Sequence, residues 1–391
     1  MAGHQQRKRV RPARRMRLAV LVLACVCSLS VGAVSLPKEA GLAVQSASSQ
    51  TPESELQTGI ALTAQGHFTE AIPHLLAAQG HVSDEYAATF DLALCYTATS
   101  QFDPAIHLLT ELRSKGFGTA DVDDLLAQAY VGGDRAREAL EAFSQAVQQD
   151  PQKEKLYLLV ADACLDHRNF DLGMQIANIG LQHLPNSARL HYERATFFAF
   201  QNEPDLGKAD YKAAAKLAPG TDIYYMAAGQ SALLDGNIAE AIRVSRDGIR
   251  AGHANYVVLT ILGSAVVRSG AAPGTPDFVQ GQEALKKAIV ERPNSPASHI
   301  ALGELYIATG ELERAISQLE KARELAPQDP AVYSQLAIAY RRLGNTRQEE
   351  QALSVLSKLN EAHTEKYRQG PPGDKAGYGA SARPDRKPST E

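Results

Sequence analysis

The chain has 391 residues, 40 of them basic and 44 acidic, a formal charge of −4, an apolar share of 44% and no Trp. The charge is uneven: Arg7, Lys8, Arg9, Arg11, Arg14, Arg15 and Arg17 stand in the first 17 residues, and without them 33 basic residues face 44 acidic ones, a charge of −11. An acidic body excludes nucleic acid as a natural partner, because that binding rests on neutralising phosphates with Lys and Arg.

The basic head leads into Leu18 to Val34, seventeen residues without a charge, followed by small residues around Ser35. A basic start, an apolar run and small residues form an export signal. Residues 1–35 are therefore expected to be a signal peptide or a retained N-terminal membrane anchor, with the body sent across the membrane. The expected location is periplasmic, secreted or membrane-anchored, facing away from the cytoplasm, and any membrane contact is through this segment alone. Arg14-Arg15 departs from a twin-arginine signal because Arg17 sits where an apolar residue belongs. Val22-Leu23-Ala24-Cys25 departs from a lipoprotein box because the apolar run continues past Cys25. Residues 36–51, rich in Ser and Gln toward their end, read as a linker.

A period of 34 residues then takes over. Small residues recur at Gly59, Ala93, Ala127, Ala161, Ala195, Gly229 and Gly263; after a step of 40 to Gly303, Ala337 restores the period. Three residues after each comes Leu62, Tyr96, Tyr130, Cys164, Phe198, Ala232, Val266, Tyr306 or Tyr340. Twelve residues after it comes a second small residue, such as Ala71, Ala105, Gly207 or Ala315. The longer step is a six-residue insertion near 271–276, between the two helices of the seventh unit. Pro151, Pro185, Pro219, Pro293 and Pro327 close units in step with the period.

This spacing predicts pairs of antiparallel helices. Tyr333, Leu336, Ala337 and Tyr340 fall at i, i+3, i+4 and i+7, one apolar stripe of a helix. Two helices cross closely only where side chains are small. Gly310 and Gly344 suit a left-handed turn after the first helix, and Pro204 is tolerated in the first turn of a second helix.

The stretch Ala297 to Pro327, ASHIALGELYIATGELERAISQLEKARELAP, closely resembles the tetratricopeptide repeat. The resemblance covers residues 52–363 as about nine units and implies an all-α, right-handed superhelical solenoid. No unit has Trp at the family's first aromatic site, and Glu349 replaces the second small residue in a sparse last unit. Residues 364–391 read as a disordered tail.

The resemblance implies that partners bind on the inner face of the first helices, at two positions per unit, four residues apart. These are Phe90 and Leu94, Asp124 and Gln128, Leu158 and Asp162, Tyr192 and Thr196, Met226 and Gln230, Thr260 and Ser264, and Ile300 and Glu304. Phe90, Tyr192 and Met226 are large apolar groups that suit a partner anchor or packing against the next repeat, Tyr192 above all. Family members that clamp acidic chaperone tails use Lys and Asn at these two sites. Here no unit has that pair, and Asp124, Asp162 and Glu304 favour a basic or polar-apolar segment.

Nothing in the chain has the spacing of a phosphate loop, a nucleophile elbow or a zinc site. His67, His74 and His81 recur every seven residues, but His67 falls in a predicted turn, so they read as surface polar residues. Asp123/Asp124 and Asp162/Asp166 read as a solvated face. Cys25 and Cys27 lie in the signal, while Cys95 and Cys164, two units apart, read as buried small hydrophobes. No enzyme activity, cofactor or metal is expected. The expectation is an exported scaffold or adaptor that binds protein partners in a groove, within an envelope or secretory assembly. Recognition of polysaccharide or cell-wall polymer is the alternative, and a second copy could stack on the last unit.

Overall fold

The computed structural model describes residues 51–201 and 203–369. The basic head, the apolar run and most of the expected linker and tail lie outside the described residues. Among the described residues the fold is all-helical, an α-solenoid built from helix hairpins. The chain divides into two compact units, Met1–Leu172 and Gly173–Glu391.

In the N-terminal unit, α1 (Pro52–Ala64) pairs with α2 (Phe68–Ala78), α3 (Glu85–Ala98) with α4 (Phe102–Leu112), and α5 (Ala120–Gly132) with α6 (Ala136–Gln149). A short π-helical turn, Arg113–Phe117, extends α4, and α7 (Glu154–Asp166) follows α6. The boundary between the two units falls inside α8 (Phe170–His183). In the C-terminal unit the pairs are α9 (Ala188–Phe200) with α10 (Pro204–Leu217), α11 (Asp222–Leu234) with α12 (Ile238–Arg250), and α13 (Tyr256–Arg268) with α14 (Pro276–Glu291). They continue with α15 (Pro296–Thr309) and α16 (Leu312–Leu325), then α17 (Pro330–Leu343) and α18 (Thr346–Gln369). None of these helices is long and apolar enough to cross a membrane.

Each turn between paired helices has one solution. The residue seven positions after the first small residue is left-handed wherever it is described: Gly66, Ser100, Asp134, Arg168, Gly236, Gly270, Gly310 and Gly344 all have positive φ. The following amide then donates back into the first helix, as Gln101 does to Tyr96 O at 2.7 Å and Glu311 to Tyr306 O at 2.9 Å. This satisfies carbonyls that the helix end would leave orphaned. Polar side chains finish the other end: Asp84, Thr119, Ser187 and Asn255 each accept a backbone N–H in the first turn of a first helix.

The small residues stand at the crossings. A Cβ on Gly303 would lie 2.7 Å from Leu319 Cγ, and one on Gly207 would lie 2.8 Å from the carbonyl oxygen of Ala195. Ala71, Ala105, Ala139, Ala241 and Ala315 are completely buried. The core of each unit runs along these crossings. Leu92, Leu109, Leu126, Phe143 and Tyr157 fill it in the N-terminal unit, with Phe143 and Tyr157 edge to face at 5.6 Å. Leu302, Tyr306, Leu319 and Leu336 belong to a cluster in the C-terminal unit. Cys95 and Cys164 are free and buried.

The first aromatic site of the repeat, which lacks Trp, keeps a polar handle. Tyr157 and Tyr333 donate their hydroxyls to the carbonyls of Pro151 and Pro327, six residues back. His191 and His299 face Pro185 O and Pro293 O through Nε2, at 3.1 and 2.9 Å. Each tie holds a first helix to the proline that ends the preceding repeat.

Candidate interaction face of the first helices

Within each unit the first helices form a row. In the N-terminal unit α1 packs on α3, α3 on α5 and α5 on α7. In the C-terminal unit the row runs α9, α11, α13, α15 and α17. Second helices pack on their own first helix and on the next one, so the outward-facing stripe of the first helices is the surface left for a partner.

On the N-terminal row, Phe90 and Leu94 are half-buried on α3, Gln128 is half-buried on α5, and Asp162 is exposed on α7. Leu158 is buried. Tyr86, one turn before Phe90, stacks on it with ring centroids 5.7 Å apart. Phe117, from the turn after α4, meets Tyr86 at 5.5 Å and is 45% exposed. Three aromatic rings thus form one partly open surface patch. Tyr86 was legible as the i−4 neighbour of Phe90; Phe117 sits in an irregular turn that gives no periodic signal.

Asp124 departs from the sequence expectation. The pair Asp123/Asp124 was expected on a solvated face, yet the two are only 2% and 3% exposed. Asp123 is paired with Arg113 at 3.0 Å and accepts from Gln149 at 2.8 Å. Asp124 accepts only from Gln128, at 3.0 Å through Oδ2, and its Oδ1 has no hydrogen-bond partner. Burial, followed by the charge of Asp121, holds its carboxyl well above the usual range. Close packing of α5 on α7 removes the solvent that the sequence pattern implied. Asp162 and Asp166, in contrast, are exposed.

On the C-terminal row, Tyr192 is a correction. It is 8% exposed and packs edge to face on Tyr211 at 5.5 Å, in a cluster with Ala195 and Ala227 and with Met226 against it. The ring fills space toward the next helix pair instead of offering an anchor. Thr196 donates back to Tyr192 O at 2.9 Å. Thr260 is buried too, bonded to Tyr256 O and to Ser298 Oγ of the next first helix, both at 2.7 Å. Met226, Gln230, Ser264, Ile300 and Glu304 are half-buried, and Asn255 donates to the Met226 sulfur at 3.4 Å. Burial pushes the Glu304 carboxyl up to about 7, against the opposing pull of Arg268. Ile338, at the equivalent position on α17, is 38% exposed and was not among the residues singled out.

Arg268 and Arg342 occupy the same place in their repeats, and each donates to a backbone carbonyl near the end of the preceding first helix, Leu233 O and Ile307 O. These arginines cap neighbouring helices from the side. Behind the row, Asp210 is 5% exposed and accepts two bonds from Arg194, both at 2.7 Å, and faces His191 Nδ1 at 2.6 Å. Elsewhere His74 pairs with Glu55 at 2.6 Å and His67 with Glu70 at 3.3 Å. The described residues contain no group of three or more His, Cys, Asp or Glu able to hold a metal ion.

A family model described as tetratricopeptide repeat matches residues 62–129 and 277–338, and a second such model matches 125–188. Residues 62–188 and 277–338 match the tetratricopeptide repeat. Among curated proteins, it is similar to intraflagellar transport protein 70A of Xenopus laevis, 30% identical over 73 residues. That match spans 19% of this chain and 11% of the relative. Among solved structures it is similar to the APC/C hetero-tetramer Cut9–Hcn1, with 17% identity, a TM-score of 0.48, and coverage of 82% of this chain and 66% of that one. It is also similar to YrrB, described as a TPR protein with an unusual peptide-binding site, with 18% identity, a TM-score of 0.31, and coverage of 49% of this chain and 96% of that one. The match over 62–188 takes in the Phe90–Asp124 face, and the match over 277–338 takes in Ile300, Glu304 and Ile338.

Proposed function

We propose that the chain is a non-enzymatic scaffold that holds protein segments on its rows of first helices, and that residues 1–35 deliver it out of the cytoplasm. The observation that carries the binding reading is the mixed chemistry left on the row after packing is satisfied. Gly and Ala fill the crossings, while Phe90, Leu94, Gln128, Met226, Ile300 and Ile338 stay partly open to solvent. Apolar anchors among polar neighbours on a preformed surface suit an ordered, partly desolvated partner. Placement in an envelope or secretory assembly rests on the basic head and apolar run alone. Recognition of polysaccharide would call for exposed stacking rings along the row, and of Phe90 and Tyr192 only Phe90 is partly open, Tyr192 being 8% exposed.

Site-specific photo-crosslinking in the source cell tests the binding reading, with probes at Phe90 and Met226 and a control at Lys287, which is exposed on α14. Protein adducts at the first two positions and none at Lys287 are expected. Absence of adducts from a folded chain at both positions would overturn it. Fractionation tests the export reading separately: recovery of the intact chain in the cytosol would sink it.

A further inference from the structure

The N-terminal row brings together three features that helix packing does not require. The first is the aromatic patch of Tyr86, Phe90 and Phe117, stacked and partly open. The second is the buried Asp124 carboxyl on the neighbouring first helix, at the same repeat position as Phe90, with Oδ1 unpartnered. The third is the exposed Asp162, at the second such position on the next helix.

An unpartnered buried carboxyl oxygen is costly to keep, and Asp124 Oδ1 is suited to a partner that arrives from outside. Nearby groups do not supply one. Gln128 donates to the other oxygen, Lys153 is tied to Asp121, and Lys155, though close enough to act on the charge, leaves Oδ1 without a bond. Ring faces attract cations within about 6 Å, and a desolvated carboxylate bonds a cation more strongly than an exposed one does. One basic side chain would use both features.

We infer that the face between Phe90 and Asp162 recognises an extended protein segment through a Lys or Arg side chain, with Asp124 receiving the cation and the aromatic patch flanking it. This rests on the proposed protein-binding role and specifies its chemistry. Asp162, exposed on the next first helix, offers a second carboxyl to the same segment. The apolar stem of Lys or Arg covers ring surface while its head reaches the carboxylate. Cation binding favours the ionised carboxyl and so works against the burial that raises the Asp124 carboxyl above its ordinary range.

The test pans a displayed library of random dodecapeptides on the full chain, on D124N and, as a control for overall charge, on E283Q, whose side chain is exposed on α14. Enriched peptides carrying a fixed Lys or Arg are expected from the native chain and from E283Q. The fixed base should disappear with D124N, and the best basic peptide should bind that variant about tenfold more weakly. Circular dichroism and melting of D124N confirm that it folds; D162N, at an exposed position, gives a second readout as a smaller loss for the same peptide. Enrichment without a base, or an unchanged basic preference in D124N, overturns this inference and leaves the protein-binding role standing. No enrichment from any form overturns it too, and the crosslinking result then decides the broader role on its own.

Discussion

The hydroxyl of Tyr333 lies 2.7 Å from the carbonyl oxygen of Pro327, at the joint between one repeat and the next. Tyr157 repeats the relationship with Pro151 at 2.8 Å. A net hydrogen bond is worth about 1 kcal/mol, and a buried acceptor left bare costs somewhat more. Tyr333→Phe keeps the ring packing and removes the tie, so urea unfolding should show a loss of about 1–2 kcal/mol. An unchanged midpoint would show that the joint is held by apolar packing alone.

Ser100 and Asp134 adopt positive φ, 61° and 57°, where most other repeats use Gly. Left-handed backbone costs a residue with a Cβ about 1–2 kcal/mol. Gly removes that strain but loses about 0.5–1 kcal/mol of chain entropy. Ser100→Gly and Asp134→Gly should each raise stability by about 0.5–1 kcal/mol. Gly310→Ala, at φ 80°, should act in the opposite direction. Melting temperatures of the three variants, compared with the native chain, check the sign at each turn.

Gly207 sits where α10 crosses α9. A methyl group there would meet backbone, 2.8 Å from Ala195 O and 3.0 Å from Ala195 Cα, so no side-chain rotation relieves the clash. Gly207→Ala is expected to cost about 1–3 kcal/mol despite the higher helix propensity of Ala. Hydrogen exchange should show the loss centred on α9 and α10. An equally stable variant would mean that the two helices separate at little cost.

Glu304 carries a pH signature. Its folded value, about 7, lies above the ordinary 4.5, because burial penalises the charged form. Its contribution to stability is therefore fully present below about 4.5 and is lost as the pH rises through about 7. Glu304→Gln should remove this slope, so the stability difference between native chain and variant should fall from pH 4.5 to 7 and level off above it. Chemical denaturation at half-unit steps measures it; a difference that is flat with pH refutes the assignment.

The fold was legible because its constraints recur. A crossing needs a small residue in every unit, so Gly59 through Ala337 mark the period whatever surrounds them. The turn was half legible: Gly310 and Gly344 announce a left-handed residue, whereas Ser100, Asp134 and Arg168 hide the same conformation behind side chains that tolerate it at a cost. The candidate site was legible as positions and poorly as exposure. Register placed Phe90 and Tyr192 at the same point of their helices, but how closely the next first helix approaches decides whether a ring stays open or is covered. That distance depends on neighbours such as Tyr211 and Met226, which no single-helix pattern contains. Asp124 was misplaced for the same reason, since a carboxylate reads as solvated until the packing around it is known.

Packing between consecutive helix pairs has a consequence for how such a chain can change over generations. Each first helix rests on the first helices before and after it in its row, and each turn closes with the same left-handed residue. Duplication or deletion of 34 residues in register leaves both cut ends facing the contacts they already make. The protein can thus gain or lose length in whole units, with existing joints such as Tyr333 to Pro327 serving again at the new boundary, and the face of its first helices can diverge by unit number as readily as by point substitution.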